Sequence, residues 1–160
     1  MIIVSFDVLA LPNLVNNEIG ARQPSPEGRR LWTSLFNSYN GTMAVFASGV
    51  TNEEGCLQWL KRENFKASTV DMISEDKTDD KVKRIVNLHA VYGRIHWYID
   101  TDPEVIAKVS HNGIPTLLMT VPHVVRPEWS ESRTKKAWDS VVQEVEAQAL
   151  ARAERNWGDV

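Results

Sequence analysis

The sequence predicts a three-layer α/β fold, in which a Rossmann-like parallel sheet of about five strands is flanked by helices and followed by a long C-terminal helix. Two observations support this prediction. Short apolar runs alternate along the chain with segments whose apolar residues recur at helical spacing. The apolar runs are also continuous rather than alternating, which is typical of strands that are buried on both faces of a parallel sheet.

The apolar runs place the predicted strands at 2–6, 42–48, 68–74, 94–100 and 114–121. The helical spacing places the intervening helices at 25–41, 51–64, 77–93 and 102–113. Capping signals agree with these starts, because Pro26 follows Ser25, and Glu54 stands three residues after Thr51. Residues 8–24 contain several Pro, Gly and Asn and are predicted as a long loop, a type of segment that is often functional.

A long helix is predicted near the C-terminus, because 128–157 is rich in Ala and Glu and contains neither Gly nor Pro. It carries a narrow apolar stripe, with two further apolar residues at its edges: Trp138, Val142, Val145 and Ala149, then Val141 and Leu150. Either this stripe packs on the domain, or the helix binds a protein partner, with Trp157 as a further contact. We therefore divide the chain into an α/β domain at 1–125 and a helical extension at 126–160.

Composition limits the classes of function. The net charge of −3 gives no reason to expect nucleic-acid binding through the whole surface, although a local basic patch stays open. Cys56 is the one cysteine, so an internal disulfide is excluded, and we expect a buried packing role in a cytoplasmic protein. No uncharged stretch approaches the roughly 20 residues that span a bilayer, and the first residues lack the basic start of a secretory signal.

Polar residues follow the predicted strands, where the carboxyl ends of a parallel sheet bind ligands. Asp7 and Asp100 offer the oxygen ligands that Mg²⁺ prefers, and an aspartate can also act as a nucleophile. The hydroxyl of Ser48 and the amides beside Gly49 can hold a phosphate oxygen, while a lysine from 77–83 can neutralise the transferred group. This combination predicts phosphoryl-transfer chemistry. The four histidines show no spacing typical of a metal site.

The segments "IIVSFD", "VFASG", "DDKVK", "WYIDTDP" and "GIPTLLM" together resemble the haloacid dehalogenase superfamily over 1–121. The resemblance implies a Mg²⁺-dependent phosphatase. In it Asp7 is the nucleophile, Ser48 and Gly49 bind phosphate, and the motif lysine is Lys83, as in the D-x-V-K form of phosphatases acting on polynucleotide ends. Lys81 is the alternative lysine. The expected metal ligands are Asp7, Asp100 and Asp102, although Asp102 before Pro103 is also a common start of a helix.

Two departures from the family pattern change the expected function. Leu9 stands where family phosphatases carry a second aspartate, the general acid and base, and such help contributes roughly 10²–10⁴-fold to the rate. Leu11 replaces a threonine, and there is no room for a cap domain, as in small bacterial or bacteriophage members. The sequence thus predicts a Mg²⁺ and phosphate pocket with impaired phosphohydrolase chemistry. If the remaining machinery is intact, Leu9→Asp should raise the activity.

Two alternatives remain. The chain is either an inactive binding protein that uses its C-terminal helix, or an active nucleotide or polynucleotide phosphatase. A regulator that binds phosphate or a nucleotide without turnover lies between these two. For the phosphatase and the regulator the expected ligand is a phosphorylated small molecule or a nucleotide.

Overall fold

A single parallel sheet forms the centre of the protein in the computed structural model, which describes residues 1–12, 18–40, 42–120 and 133–158. Its strands are β1 (Ile2–Ser5), β2 (Met43–Ala47), β3 (Thr69–Met72), β4 (Trp97–Asp100) and β5 (Thr116–Leu118). They lie in the order β3-β2-β1-β4-β5, and every neighbouring pair is parallel. The predicted α/β fold with a parallel sheet is therefore confirmed.

The helices that connect these strands are α1 (Phe6–Leu9), α2 (Pro26–Ser38), α3 (Glu53–Arg62), α4 (Thr78–Val91) and α5 (Pro103–His111), and helix α6 (Arg133–Gly158) follows β5. Ser25 caps α2 as predicted, because its hydroxyl accepts a hydrogen bond from the Gly28 amide at 3.1 Å. The cap of α3 is Asn52 rather than the predicted Thr51, since the Asn52 side chain accepts from the Gly55 amide at 2.9 Å. A further 3₁₀ turn covers Ile19–Ala21.

The apolar core lies on both faces of the sheet, as the continuous runs predicted. Val4 belongs to one cluster together with Trp32 and Trp59, while its neighbour Ile3 belongs to a second cluster on the opposite face. Cys56 is fully buried in the first cluster. Burial raises the pKa of its thiol to about 11, which agrees with a packing role.

The order of the strands identifies where a ligand site belongs. The chain starts at β1 in the middle of the sheet, runs outward through β2 to β3, and then returns to the other side of β1 with β4. The connections leave β1 and β4 in opposite directions, and in open parallel sheets ligands generally bind at the carboxyl ends of such a strand pair. Asp7 follows β1 and Asp100 ends β4, so these two predicted site residues flank this switch point.

The segment predicted as a loop at 8–24 contains more structure than expected. It begins inside the helical turn α1, whose four residues are too few to show a helical period. Its two ends then pair in antiparallel fashion, because the Leu11 amide donates to the Gln23 carbonyl and the Ser25 amide donates to the Leu9 carbonyl, both at 2.8 Å. The paired residues at its two ends, 9–11 and 23–25, form a closed base of the loop.

Helix α6 packs against α5. Gln148 donates to the Ser110 hydroxyl at 3.3 Å, and Glu144 lies 3.4 Å from His111. Val142 and Val145 of the predicted apolar stripe are 49% and 61% exposed, so α5 does not cover them. The side chains of Trp138 and Trp157, and the boundary at 125/126, lie outside the described residues. Binding of a partner through α6 stays a prediction.

Changing both exposed valines to serine is expected to cost little stability, about 0.5 kcal/mol or less for each, because exposed positions contribute little to folding. Val141→Ser is the matched control, since Val141 lies one position earlier and is half-buried. Urea unfolding of the three proteins measures the difference. If the double variant, Val142→Ser with Val145→Ser, loses more unfolding free energy than Val141→Ser, the stripe is buried in the folded protein.

Among the described residues, no helix combines the length and apolar character that crossing a membrane requires.

Candidate functional site

A cavity of about 440 Å³ opens at the carboxyl edge of the sheet, beside β1 and β2. Its lining includes the predicted residues Asp7, Ser48 and Gly49, together with Arg22 and Asp76, which the sequence did not single out. A neighbouring cavity of about 790 Å³ lies between the 3₁₀ turn and α3 and shares Ile19 and Gly49 with the first. The predicted edge of the sheet is thus concave and accessible.

Asp7 lies in the first turn of α1, directly after β1, and its side chain is 46% exposed. Its carboxylate forms an ion pair with Arg22, whose Nη2 donates to Oδ1 at 2.9 Å. The positive charge next to Asp7 is therefore that of Arg22, a residue of the loop at 8–24.

Arg22 is held in this position by several contacts. Its Nη2 also donates to the Ala10 carbonyl at 2.6 Å, and its Nε donates to the Leu11 carbonyl at 2.9 Å. The Trp59 indole donates to the Arg22 carbonyl at 2.9 Å, and the guanidinium lies 5.1 Å from the centre of the Phe6 ring. The Arg22 side chain is only 15% exposed. This arginine is part of the folded loop rather than a surface residue that meets Asp7 by chance.

Ser48 and Gly49 lie at the cavity as predicted, but their donors already have partners within the chain. The Ser48 hydroxyl donates to Oδ1 of Asp76 at 3.2 Å. The Gly49 amide donates to the Glu75 carbonyl and the Val50 amide to the Ile73 carbonyl, both at 3.0 Å. The expectation that the amides beside Gly49 would bind phosphate is therefore not met by this geometry, because the loop before α4 takes up both.

The structure brings Lys81, and not Lys83, to the site. The side chain of Lys81 is 12% exposed, and its Nζ lies 3.0 Å from Oδ1 of Asp76. Lys83 is exposed, because two residues along a helix correspond to a rotation of about 200°. Burial by itself would lower the pKa of Lys81. The hydrogen bond with Asp76 and the charges of Asp76, Asp102 and Asp100 together raise it.

Asp100 is the buried acid of the site, with only 3% of the residue exposed. One carboxylate oxygen accepts from the Tyr98 hydroxyl at 2.5 Å, and the other accepts from the amides of Thr101 and Asp102 at 2.6 and 3.2 Å. Burial raises the pKa of Asp100 to about 6, and the negative charges of Asp7 and Asp102 add to this rise. Tyr98 was not predicted as a site residue; its position two residues before Asp100 on the same face of β4 is the signal that could have identified it.

Asp102 caps α5, since its Oδ1 accepts from the amides of Glu104 and Val105 at 3.0 and 3.4 Å. Its charge still contributes to the raised pKa values of Asp100 and Lys81. Asp102 is therefore both the start of a helix and part of the charge of the site.

The acids predicted to bind Mg²⁺ are of the right chemical type, but they do not form a ligand set in this arrangement. Asp7 is paired with Arg22, both oxygens of Asp100 accept hydrogen bonds, and Asp102 caps a helix. Within the part of the chain that the structure describes, no three acidic, histidine or cysteine side chains group closely enough to hold a metal ion. The residues present thus do not fit a preformed magnesium centre, and Mg²⁺ binding stays a prediction.

Leu9, which stands in place of the expected general acid, does not line the described cavity. It lies in α1 with its side chain fully buried in the first apolar cluster. Its carbonyl is also part of the closed base of the loop. The difference from the family pattern is therefore not only a change of residue type, because the side chain at position 9 also lies in the core and not at the cavity.

No protein-family model matches this chain, and no curated protein sequence matches it. The resemblance to the haloacid dehalogenase superfamily thus rests on the motifs quoted above. Membership of that superfamily stays a prediction, and the parallel sheet is consistent with it.

Proposed function

We propose that the protein binds a phosphorylated small molecule at the carboxyl edge of its sheet and does not hydrolyse it at an enzymatic rate. The observation that carries this proposal is the convergence of two donors on one negatively charged oxygen. The Ser48 hydroxyl and the Lys81 ammonium lie 3.2 and 3.0 Å from the same atom, Oδ1 of Asp76.

This convergence supports the binding of an anion. A hydroxyl and an ammonium at hydrogen-bond distance from one charged oxygen are the contacts that a phosphate oxygen requires. Ser48 follows β2 and Lys81 belongs to α4, so two separate elements supply the donors. The adjoining cavities, of about 440 and 790 Å³, leave room for a group of nucleotide size attached to the phosphate.

Two further features argue against efficient hydrolysis. Leucine at position 9 cannot transfer a proton, and its buried side chain does not line the cavity. The carboxylate of Asp7 is held by Arg22, which stabilises the charge that a nucleophilic attack would have to use. Both features support binding of a phosphate group rather than its hydrolysis.

Phosphate release from a panel of phosphomonoesters, with and without MgCl₂, tests the lack of turnover. We expect the protein and its Asp7→Asn variant to release phosphate at the same background rate. Release by the unmodified protein at least tenfold above that of Asp7→Asn would contradict the proposal and favour an active phosphatase.

Calorimetric titration with the same phosphomonoesters tests binding. Lys81→Met is expected to weaken binding at least tenfold, because it removes the ammonium beside the anion position. Lys83→Met is the matched control, since it makes the same change on the exposed face of the same helix and should bind like the unmodified protein. Equal affinities for all three proteins would show that the phosphate group does not bind at Lys81.

A further inference from the structure

We infer that the carboxylate of Asp76 occupies the anion position of this site and must leave it before a phosphate group can bind. The inference rests on the proposed function, and it adds that Asp76 sets the affinity of the site for a phosphate group. Asp76 is the acceptor for both donors, Ser48 and Lys81, through a single oxygen atom. A phosphate oxygen and the Asp76 carboxylate therefore compete for the same two contacts.

The side chain of Asp76 can leave without unfolding its loop. It is 73% exposed, so rotation about its side-chain bonds carries the carboxylate into water. The loop backbone is held separately, because the carbonyls of Glu75 and Ile73 accept from the amides of Gly49 and Val50. Ligand binding then requires a movement of one side chain, while the backbone around it stays in place.

Gly49 provides the space in which Asp76 lies. Its φ of +64° favours glycine, and a Cβ at this position would lie 3.3 Å from Cβ and Cγ of Asp76. A side chain at position 49 would therefore crowd the Asp76 carboxylate. The close approach of the backbone keeps this acid against the end of β2.

Charges other than that of Asp76 also act on Lys81. Burial lowers the pKa of Lys81, whereas the charges of Asp102 and Asp100 raise it. A phosphate group that replaces Asp76 brings its own negative charge next to Lys81 and to the Ser48 hydroxyl. The same acids make the region negative overall, so removal of the competing carboxylate should increase the affinity for an anion markedly.

Titration calorimetry with inorganic phosphate at constant ionic strength tests this inference. We expect Asp76→Asn to bind phosphate at least tenfold more tightly than the unmodified protein. Glu75→Gln is the matched control: it removes one negative charge from the neighbouring exposed residue, without any change at Ser48 or Lys81. This control should increase the affinity by no more than about twofold, since exposed charges are screened. Adding Lys81→Met to Asp76→Asn should abolish the gain.

The outcomes separate this inference from the proposed function. If the unmodified protein and Asp76→Asn bind phosphate equally, and both require Lys81, the inference is wrong while the proposed binding function stands. If Glu75→Gln increases the affinity for phosphate as much as Asp76→Asn does, the increase comes from the loss of one negative charge anywhere near the site, and the inference is also wrong. If no variant binds phosphate, both are wrong.

Discussion

Replacing Leu9 with aspartate is expected to lower the free energy of unfolding by about 4 kcal/mol or more, without any gain in phosphate release. The Leu9 side chain is 0% exposed and lies in an apolar cluster. Aspartate would lose that apolar contact and would bring a carboxyl group into surroundings that offer it no stabilisation. The loss is a large part of the total stability of a typical domain, which is about 5–15 kcal/mol.

Urea unfolding followed by tryptophan fluorescence measures the change, and Leu9→Met is the control. Methionine conserves volume and apolar character, so it should cost less than about 1.5 kcal/mol. The opposite result would be a stable Leu9→Asp protein that releases phosphate in an Asp7-dependent manner. It would show that the side chain at position 9 reaches the cavity, and that only the general acid was missing.

Replacing Asp100 with asparagine is expected to raise the free energy of unfolding at pH 7 by roughly 2–3 kcal/mol, which corresponds to the rise in its pKa from 3.8 to about 6. Asparagine has the same shape and carries no charge. Its oxygen can accept from the amides of Thr101 and Asp102, and its NH₂ group can donate to the Tyr98 hydroxyl oxygen. The substitution thus keeps a hydrogen bond to each of these three groups, with the direction reversed at Tyr98, and removes the cost of burying a carboxylate.

The direction of the predicted change follows from how the free energy of unfolding depends on pH. Because the pKa of Asp100 is higher in the folded protein than in the unfolded chain, the folded protein binds more protons between pH 4 and 6. The contribution of Asp100 to stability is therefore greatest below about pH 4 and is lost as the pH rises through about 6. The difference in unfolding free energy between Asp100→Asn and the unmodified protein should grow over this range and then stay constant.

Tyr98→Phe gives a test in the opposite direction. The Tyr98 hydroxyl bond lowers the pKa of Asp100, so its removal should raise that pKa further and increase the loss of stability toward pH 7. Unfolding measured from pH 4 to 8, together with an NMR titration of the Asp100 carboxyl carbon, covers both variants. Equal pH profiles for all three proteins would show that Asp100 is an ordinary carboxylate with no cost of burial.

A buried carboxylate with a raised pKa, at the carboxyl edge of a sheet, is typical of a functional site. Asp100 lies at the switch point of the sheet, and its pKa responds to Asp7 and Asp102. A ligand with a positively charged group, or a cation brought in with a phosphate, would relieve this repulsion. The pH experiments on Asp100 therefore also bear on which charges the site accepts.

The sheet and its connecting helices were predictable because their signals are local. The runs that form β1 and β2 are buried over the whole strand, which reflects packing on both faces of the sheet. The helices between the strands show apolar spacing, and α2, α3 and α5 also carry side-chain caps. The turn α1 was missed, since four residues give no period and Ser5 looks like part of the strand.

The predictions for individual site residues depended on side-chain directions. The choice of Lys83 came from motif spacing, whereas helix geometry separates Lys83 from the buried Lys81. Arg22 and Asp76 act through partners 15 and 28 residues away in sequence, so no local pattern distinguishes them from other charged loop residues. These two contacts become visible only when the loops are placed over the sheet.

The antiparallel base of the loop after α1 has a consequence for how this protein could be altered or could have diverged. Because the Leu11–Gln23 and Ser25–Leu9 hydrogen bonds join the two ends of the loop, the positions of these ends are fixed next to the strands. The entropic cost of a longer loop grows only slowly with its length. This position is therefore a natural place to graft a covering module over an open cavity, while the register of the sheet stays unchanged.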